Sequence, residues 1–195
     1  MNVLEAVLAR VASDLETMGV GWALVGGVAV SARCEPRFTR DVDIAVVVAD
    51  DAAAEDLVRR LLALGYALET TVDQEYVDRM AAVRLRAPLP GGVLTDVLLA
   101  SSGIEPEIVA EADRIEVMPG LELPVATVAH LVVMKLLARD DASRPQDAAD
   151  LVALRQVVAQ DDLEHVKQAI ALVESRGYAR ERDLRAALDA WWANE

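Results

Sequence analysis

The 195-residue chain carries 19 basic and 33 acidic side chains, a formal net charge of −14, and is 54% hydrophobic with only 4% aromatic residues. That balance excludes a disordered chain and a broadly basic nucleic-acid-binding surface, and it implies a core built from Ala, Val and Leu. No apolar run approaches the roughly 20 residues of a membrane span, and a single cysteine, Cys34, excludes an internal disulfide and suits a reducing cytoplasm.

In chain order, apolar residues at Val3, Leu4, Val7, Leu8, Val11 and Leu15 predict a helix over about Val3–Met18, ended by Gly19 and Gly21. Its internal acids and lack of a basic leader speak against a signal peptide. Trp22–Val25 reads as a short buried strand, and Gly26-Gly27 as a tight turn opening a helix over Val28–Arg33. Glycine lets backbone N–H groups approach a ligand, and a helix N-terminus favours anions such as phosphate. Arg37, Thr39 and Arg40 follow and can add phosphate contacts. Asp41-x-Asp43 then opens the β-branched run Val42–Val48, which sets the two acids about 7 Å apart on one face of a strand. Carboxylates so placed can hold one or two hard cations such as Mg²⁺. Left without a cation at the end of an apolar strand, they are costly.

Asp50-Asp51 caps a predicted helix over Ala52–Leu64, closed by Gly65. Strand-like runs follow at Tyr66–Thr71, Met80–Arg86 and Val93–Ala100, the last two separated by the breaker Pro88–Gly92, and again at Asp113–Met118 and Leu121–Val125. From Thr127 the pattern is helical, near Thr127–Arg139, Pro145–Val158, Leu163–Ser175 and Ala179–Asn194. The expected organisation is an α/β portion over 1–126 and a helical portion over 127–195. Asp96 stands in the middle of an apolar strand, where it either joins other acids around a cation or faces water from a sheet edge. Asp73, Asp78 and Asp113 lie in more polar surroundings. Lys135, amid Leu131, Val132, Met134, Leu136 and Leu137, either reaches solvent or meets a carboxylate. Asp147 and Asp150, three apart on the next helix, share a face and can be that partner. Asp147 reads equally well as a charge favoured by the start of its helix.

Gly26-Gly27 followed by Arg37-x-Thr39-x-Asp41-x-Asp43 and a hydrophobic strand resembles the signature of the DNA polymerase β-like nucleotidyltransferases. The second stretch, Lys135 and then Gln146-Asp147-Ala148-Ala149-Asp150-Leu151, is similar to that of the AbiEii-type toxin nucleotidyltransferases. Two departures stand out: Gly-Gly where many superfamily members have Gly-Ser, and Gln146 where a basic residue is usual. The resemblance implies a mixed α/β (α+β) nucleotidyltransferase core followed by a helical portion. It further implies NMP transfer from an NTP with two Mg²⁺ ions (or Mn²⁺) on Asp41, Asp43 and Asp96. Gly26, Gly27, Arg37, Thr39, Arg40 and Lys135 would contact the nucleotide, with Asp147 or Asp150 orienting Lys135 or the nucleotide. The partners it implies are an RNA (tRNA) or protein acceptor and a cognate antitoxin.

The remaining features are weaker. Cys34 has no histidine near it in sequence and reads as an incidental thiol, and His130 and His165 stand alone on helices without zinc spacing. Arg33, Arg37 and Arg40, or Arg79, Arg84 and Arg86, are local anchors for a nucleic acid. Trp191-Trp192 reads as packing onto the helical portion or as a partner contact. Three functions compete: a toxin-like enzyme acting on RNA or protein, an enzyme modifying a small cationic molecule such as an aminoglycoside, and an inactive nucleotide-binding regulatory module.

Overall fold

The computed structural model describes residues 3–140 and 145–193; the expected end of the last helix at Asn194 lies outside them. Seven strands form one mixed sheet in the order β3-β4-β5-β2-β1-β7-β6. They are β1 (Trp22–Val25), β2 (Val42–Val46), β3 (Ala67–Gln74), β4 (Arg79–Arg86), β5 (Leu94–Leu98), β6 (Asp113–Met118) and β7 (Leu121–Val125). The β2/β5 and β1/β7 pairs are parallel and the other four antiparallel. The helices are α1 (Val3–Met18), α2 (Gly26–Arg33), α3 (Asp51–Ala63), α4 (Glu105–Ala110), α5 (Val128–Ala138), α6 (Pro145–Val157), α7 (Gln160–Ser175) and α8 (Leu184–Ala193). The fold is α/β with a mixed sheet, as the order of predicted elements and the resemblance imply. No helix among the described residues is long and apolar enough to cross a membrane.

Where boundaries differ from expectation, local chemistry explains the shift. Helix α2 begins at Gly26, because Gly26 supplies a positive φ of 63° at the strand-to-helix turn. Helix α7 begins three residues early: the Asp162 carboxylate accepts the Ala159 amide at 2.8 Å and the first turn holds Asp161 as well. Helix α8 begins late, because Arg180 and Glu181 sit at φ 53° and 58° and Asp183 accepts the Ala186 amide at 2.9 Å. Helix α4 was not expected at all; with six residues it is under two turns, too short for an apolar period to register.

One hydrophobic cluster runs through the whole chain, from Leu8 and Leu15 of α1 through Leu24, Ile44 and Val97 of the sheet to Leu131, Leu154 and Leu184 of the C-terminal helices. Helix α2 packs on β1 and β2 and also on α5 and α6. The glycine turn at the head of α2 is therefore held between the sheet and the C-terminal helices.

Candidate active site

The backbone ladder sets the acids. Val25 pairs with Asp43 across β1/β2, Asp43 with Asp96 across β2/β5, and Asp96 with Arg84 across β5/β4. Strand alternation leaves Asp43, Asp96 and Arg84 on one face, while their neighbours Val42, Ile44, Val97, Val83 and Leu85 are buried. Gly26 abuts Asp43 so closely that any Cβ there would collide with the carboxylate. A Cβ on Gly27 would lie 2.7 Å from Arg37 Nη2 and 2.9 Å from Thr39 Oγ1. Gly26 is thus required by both its φ and its close approach to Asp43, whereas a side chain at Gly27 would have to displace Arg37 and Thr39.

Burial, and then the neighbouring Asp96, push the Asp43 carboxyl up to about 6, with Asp41 adding to the rise; Lys135 and the Gly27 amide pull it down. That is the electrostatic signature of a group short of positive charge. Asp41 and Asp43 suit a hard cation by donor type and position. Asp96 is committed elsewhere: its two oxygens accept from Arg84 Nε and Nη2 at 2.7 and 2.6 Å. Among the described residues no three Asp, Glu, His or Cys side chains converge into a ready-made cation cage.

The C-terminal helices supply a second charged group. Lys135, buried on α5, meets Asp147 Oδ1 at 2.6 Å and Asp150 Oδ2 at 2.8 Å. Both acids are fully buried on α6, so the lysine meets carboxylates and does not reach open solvent. Asp150 also accepts from Arg37 Nε and Nη2, the latter at 2.7 Å, and Arg37 Nη1 donates to the Phe38 carbonyl at 3.2 Å. The run from Arg37 through Asp150 and Lys135 to Asp147 ties the loop before β2 to α5 and α6. Asp147 also lies in the first turn of α6, so its two sequence readings coexist.

A cavity of about 680 Å³ lies over these groups, lined by Gly26, Gly27, Arg37, Thr39, Arg40, Asp41, Asp43, Asp96, Lys135 and Asp147 among others. Every expected site residue borders it except Asp150, which is buried behind Lys135. Several lining residues had no signal in the sequence. Ser101 and Ser102 follow β5, organised by buried Glu105, which accepts both their amides at 2.9 and 2.7 Å. Arg180 reaches in from the turn before α8 and donates to the Ser101 carbonyl at 2.7 Å. Phe38, 80% exposed, carries Arg40 over its ring at 5.6 Å.

Other expected candidates lie apart from the site. Arg33 binds Asp113 at 2.7 Å and the carbonyls of Val125 and Ala126, fastening α2 to β7. Arg79 pairs with Asp51 and Arg86 with Glu69. Burial pushes the Cys34 thiol up, as suits an unreactive thiol. His130 is held below its ordinary value by burial and lies 3.0 Å from the Thr127 hydroxyl. Trp191 is buried and donates to the Leu151 carbonyl at 2.9 Å, and Arg155 stacks 3.6 Å from the Trp192 centroid; the pair packs onto α6.

A glycine turn between strand and helix, an Asp-x-Asp running into β2 and a third acid on the parallel neighbour β5, set in a mixed sheet, define a nucleotidyltransferase of the polymerase β-like kind. The family model described as "Nucleotidyl transferase AbiEii toxin, Type IV TA system" matches residues 7–194, and the chain belongs to that family. No curated protein matches the chain. In fold it is similar to an antigenic nucleotidyltransferase-like protein from Paracoccidioides brasiliensis (TM-score 0.52, 20% identity, 96% of this chain and 92% of that one). It is similar also to the antibiotic-resistance factor ANT(2'')-Ia (0.52, 18%, 97% of each). A third likeness is to a candidate nucleotidyltransferase from Thermotoga maritima (0.50, 16%, 77% and 92%). At such identities the likeness is one of fold.

Proposed function

We propose that the chain is a divalent-metal-dependent enzyme that transfers a nucleoside monophosphate from an NTP to an RNA acceptor, such as tRNA, as the toxin of a toxin–antitoxin pair in the cytoplasm. The observation that carries this reading is the convergence of Gly26-Gly27, Asp41, Asp43, Asp96 and Lys135 on one cavity. Its two halves are the α/β portion, 1–126, which brings the acids and glycines, and the helical portion, 127–195, which brings Lys135 with Asp147 and Asp150. Arg37, Arg84 and Lys135 of the cavity wall are paired with Asp150, Asp96 and Asp147, so charge around the cavity is balanced, and the toxin family to which the chain belongs favours the toxin reading over a drug-modifying one.

Asp41 and Asp43 would hold Mg²⁺ or Mn²⁺, which supplies positive charge to the triphosphate and polarises the reacting phosphate. Gly26-Gly27 and the head of α2 receive phosphate oxygens, joined by Thr39, Arg40 and Lys135. Arg37 and Asp150 hold Lys135 in place. The acceptor oxygen bonds to the α-phosphorus as the bond to the α,β-bridging oxygen breaks. Pyrophosphate leaves with the electron pair, and the acceptor proton passes to water, Asp96 being held in its ion pair with Arg84. Most of the acceleration comes from positioning and charge.

The test is incubation with each α-labelled NTP, total RNA and cell lysate. Label should enter RNA, and Asp41→Asn or Asp43→Asn should reduce it by more than about 1000-fold, the scale of losing preorganised charge stabilisation. Wild-type labelling by either variant sinks the proposal. Induced expression should arrest growth unless Asp43→Ala is present or the antitoxin is co-expressed.

A further inference from the structure

Arg84 reads from sequence as one of three local anchors for a nucleic acid, with Arg79 and Arg86, yet its place is unlike the other two. Arg79 and Arg86 pair with Asp51 and Glu69, which do not line the cavity, whereas Arg84 lines it together with Asp96. The β4/β5 ladder sets Arg84 directly opposite Asp96, and β5/β2 sets Asp96 directly opposite Asp43. Buried Val83 and Leu85 fix the strand on either side of it. The guanidinium is therefore held in the row of carboxylates by the sheet itself. Its Nε and Nη2 take both Asp96 oxygens at 2.7 and 2.6 Å. Its side chain stays 40% exposed, and Nη1 has no hydrogen-bond partner among the described residues.

We propose that Arg84 is a built-in cation of this centre: it takes the second of the two cation positions that three carboxylates would define, so the chain works with one divalent ion, on Asp41 and Asp43. The inference rests on the nucleotidyl-transfer reading of the site. A bidentate arginine–carboxylate contact is both strong and directional, and arginine keeps its charge at any working pH. A divalent ion entering at Asp96 would sit beside that fixed charge in a half-buried site, where salt screens repulsion poorly. Arg84 in turn does what a second ion would do: it neutralises Asp96 and offers a free N–H to a phosphate oxygen. Asp41 and Asp43 add to the field that holds its charge.

Mn²⁺ titration followed by electron paramagnetic resonance counts bound ions without reference to turnover. Wild type and Arg84→Lys, which keeps the charge, should bind one ion per chain. Arg84→Met should bind a second, and Arg84→Met with Asp96→Asn should lose it again. Two ions on the wild-type chain, a count that needs no variant to fold, overturn the proposal and leave the nucleotidyl-transfer reading standing, as does a single ion on folded Arg84→Met. No Mn²⁺ on the wild-type chain, or the ion retained in full on Asp43→Asn, overturns both.

Discussion

Asp43 lies between Asp41 and Asp96 with its carboxyl pushed up to about 6. Because the folded value lies above the ordinary 3.8, the folded protein holds a proton that the unfolded chain releases as pH rises from about 4 to 6. Stability therefore falls through that window, and above it the ionised carboxylate is a standing cost. In metal-free protein at pH 8, Asp43→Asn should gain roughly 1–3 kcal/mol, with the gain vanishing towards pH 4; thermal melts in chelator across that range check the sign. A lower Tm for the Asn variant at pH 8 would refute the account. Lys135 carries the opposite liability. Lys135→Met leaves Asp147 and Asp150 buried without their ammonium and should lose about 3–5 kcal/mol, measurable by urea denaturation. Partner identity was only half legible here: spacing placed Asp147 and Asp150 on one face, but nothing in the sequence tied Arg37 to Asp150, 113 residues away.

At the scale of elements, the turn from β1 into α2 and the ladder from β2 to β5 make the site. Gly26 combines a φ of 63° with contact against Asp43. Gly26→Ala must strain the backbone by about 1–2 kcal/mol and displace the carboxylate, so NMP transfer should fall by roughly 100-fold in a protein that still folds by circular dichroism. A fully active Ala variant would show that the turn has room to move. Helix α8 is docked by Trp191, buried against α6. Trp191→Ala should cost about 3–5 kcal/mol, while Trp192→Ala, at a half-buried position, should cost less. The existence of nearly all these elements was legible, because strands and helices longer than a turn or two write a period of 2 or 3.6 into the chain. Their ends were less so, since caps such as Asp162 and Asp183 act through single hydrogen bonds.

For the molecule as a whole, one hydrophobic cluster joins the sheet to the C-terminal helices, and the Arg37–Asp150–Lys135–Asp147 run crosses the same boundary. Unfolding should be a single cooperative transition. Trp22 reports on the sheet and Trp191 on α8, so fluorescence of variants keeping one or the other, set against far-UV circular dichroism, should give coincident midpoints. Separate midpoints would mean that the two portions fold on their own.

Class and chemistry were already written in local pattern. The glycine pair, the Asp-x-Asp on a β-branched run and Asp96 in an apolar strand each carry their meaning within a few residues, because backbone permissiveness and strand alternation are short-range properties. Which charges meet is a different matter. That Arg84 faces Asp96, that Arg37 reaches Asp150, and that Ser101 and Arg180 complete the cavity wall depend on strand register and helix packing between distant segments. Coulomb attraction falls off over a few ångströms in a partly buried site, so only the folded chain could decide those pairings.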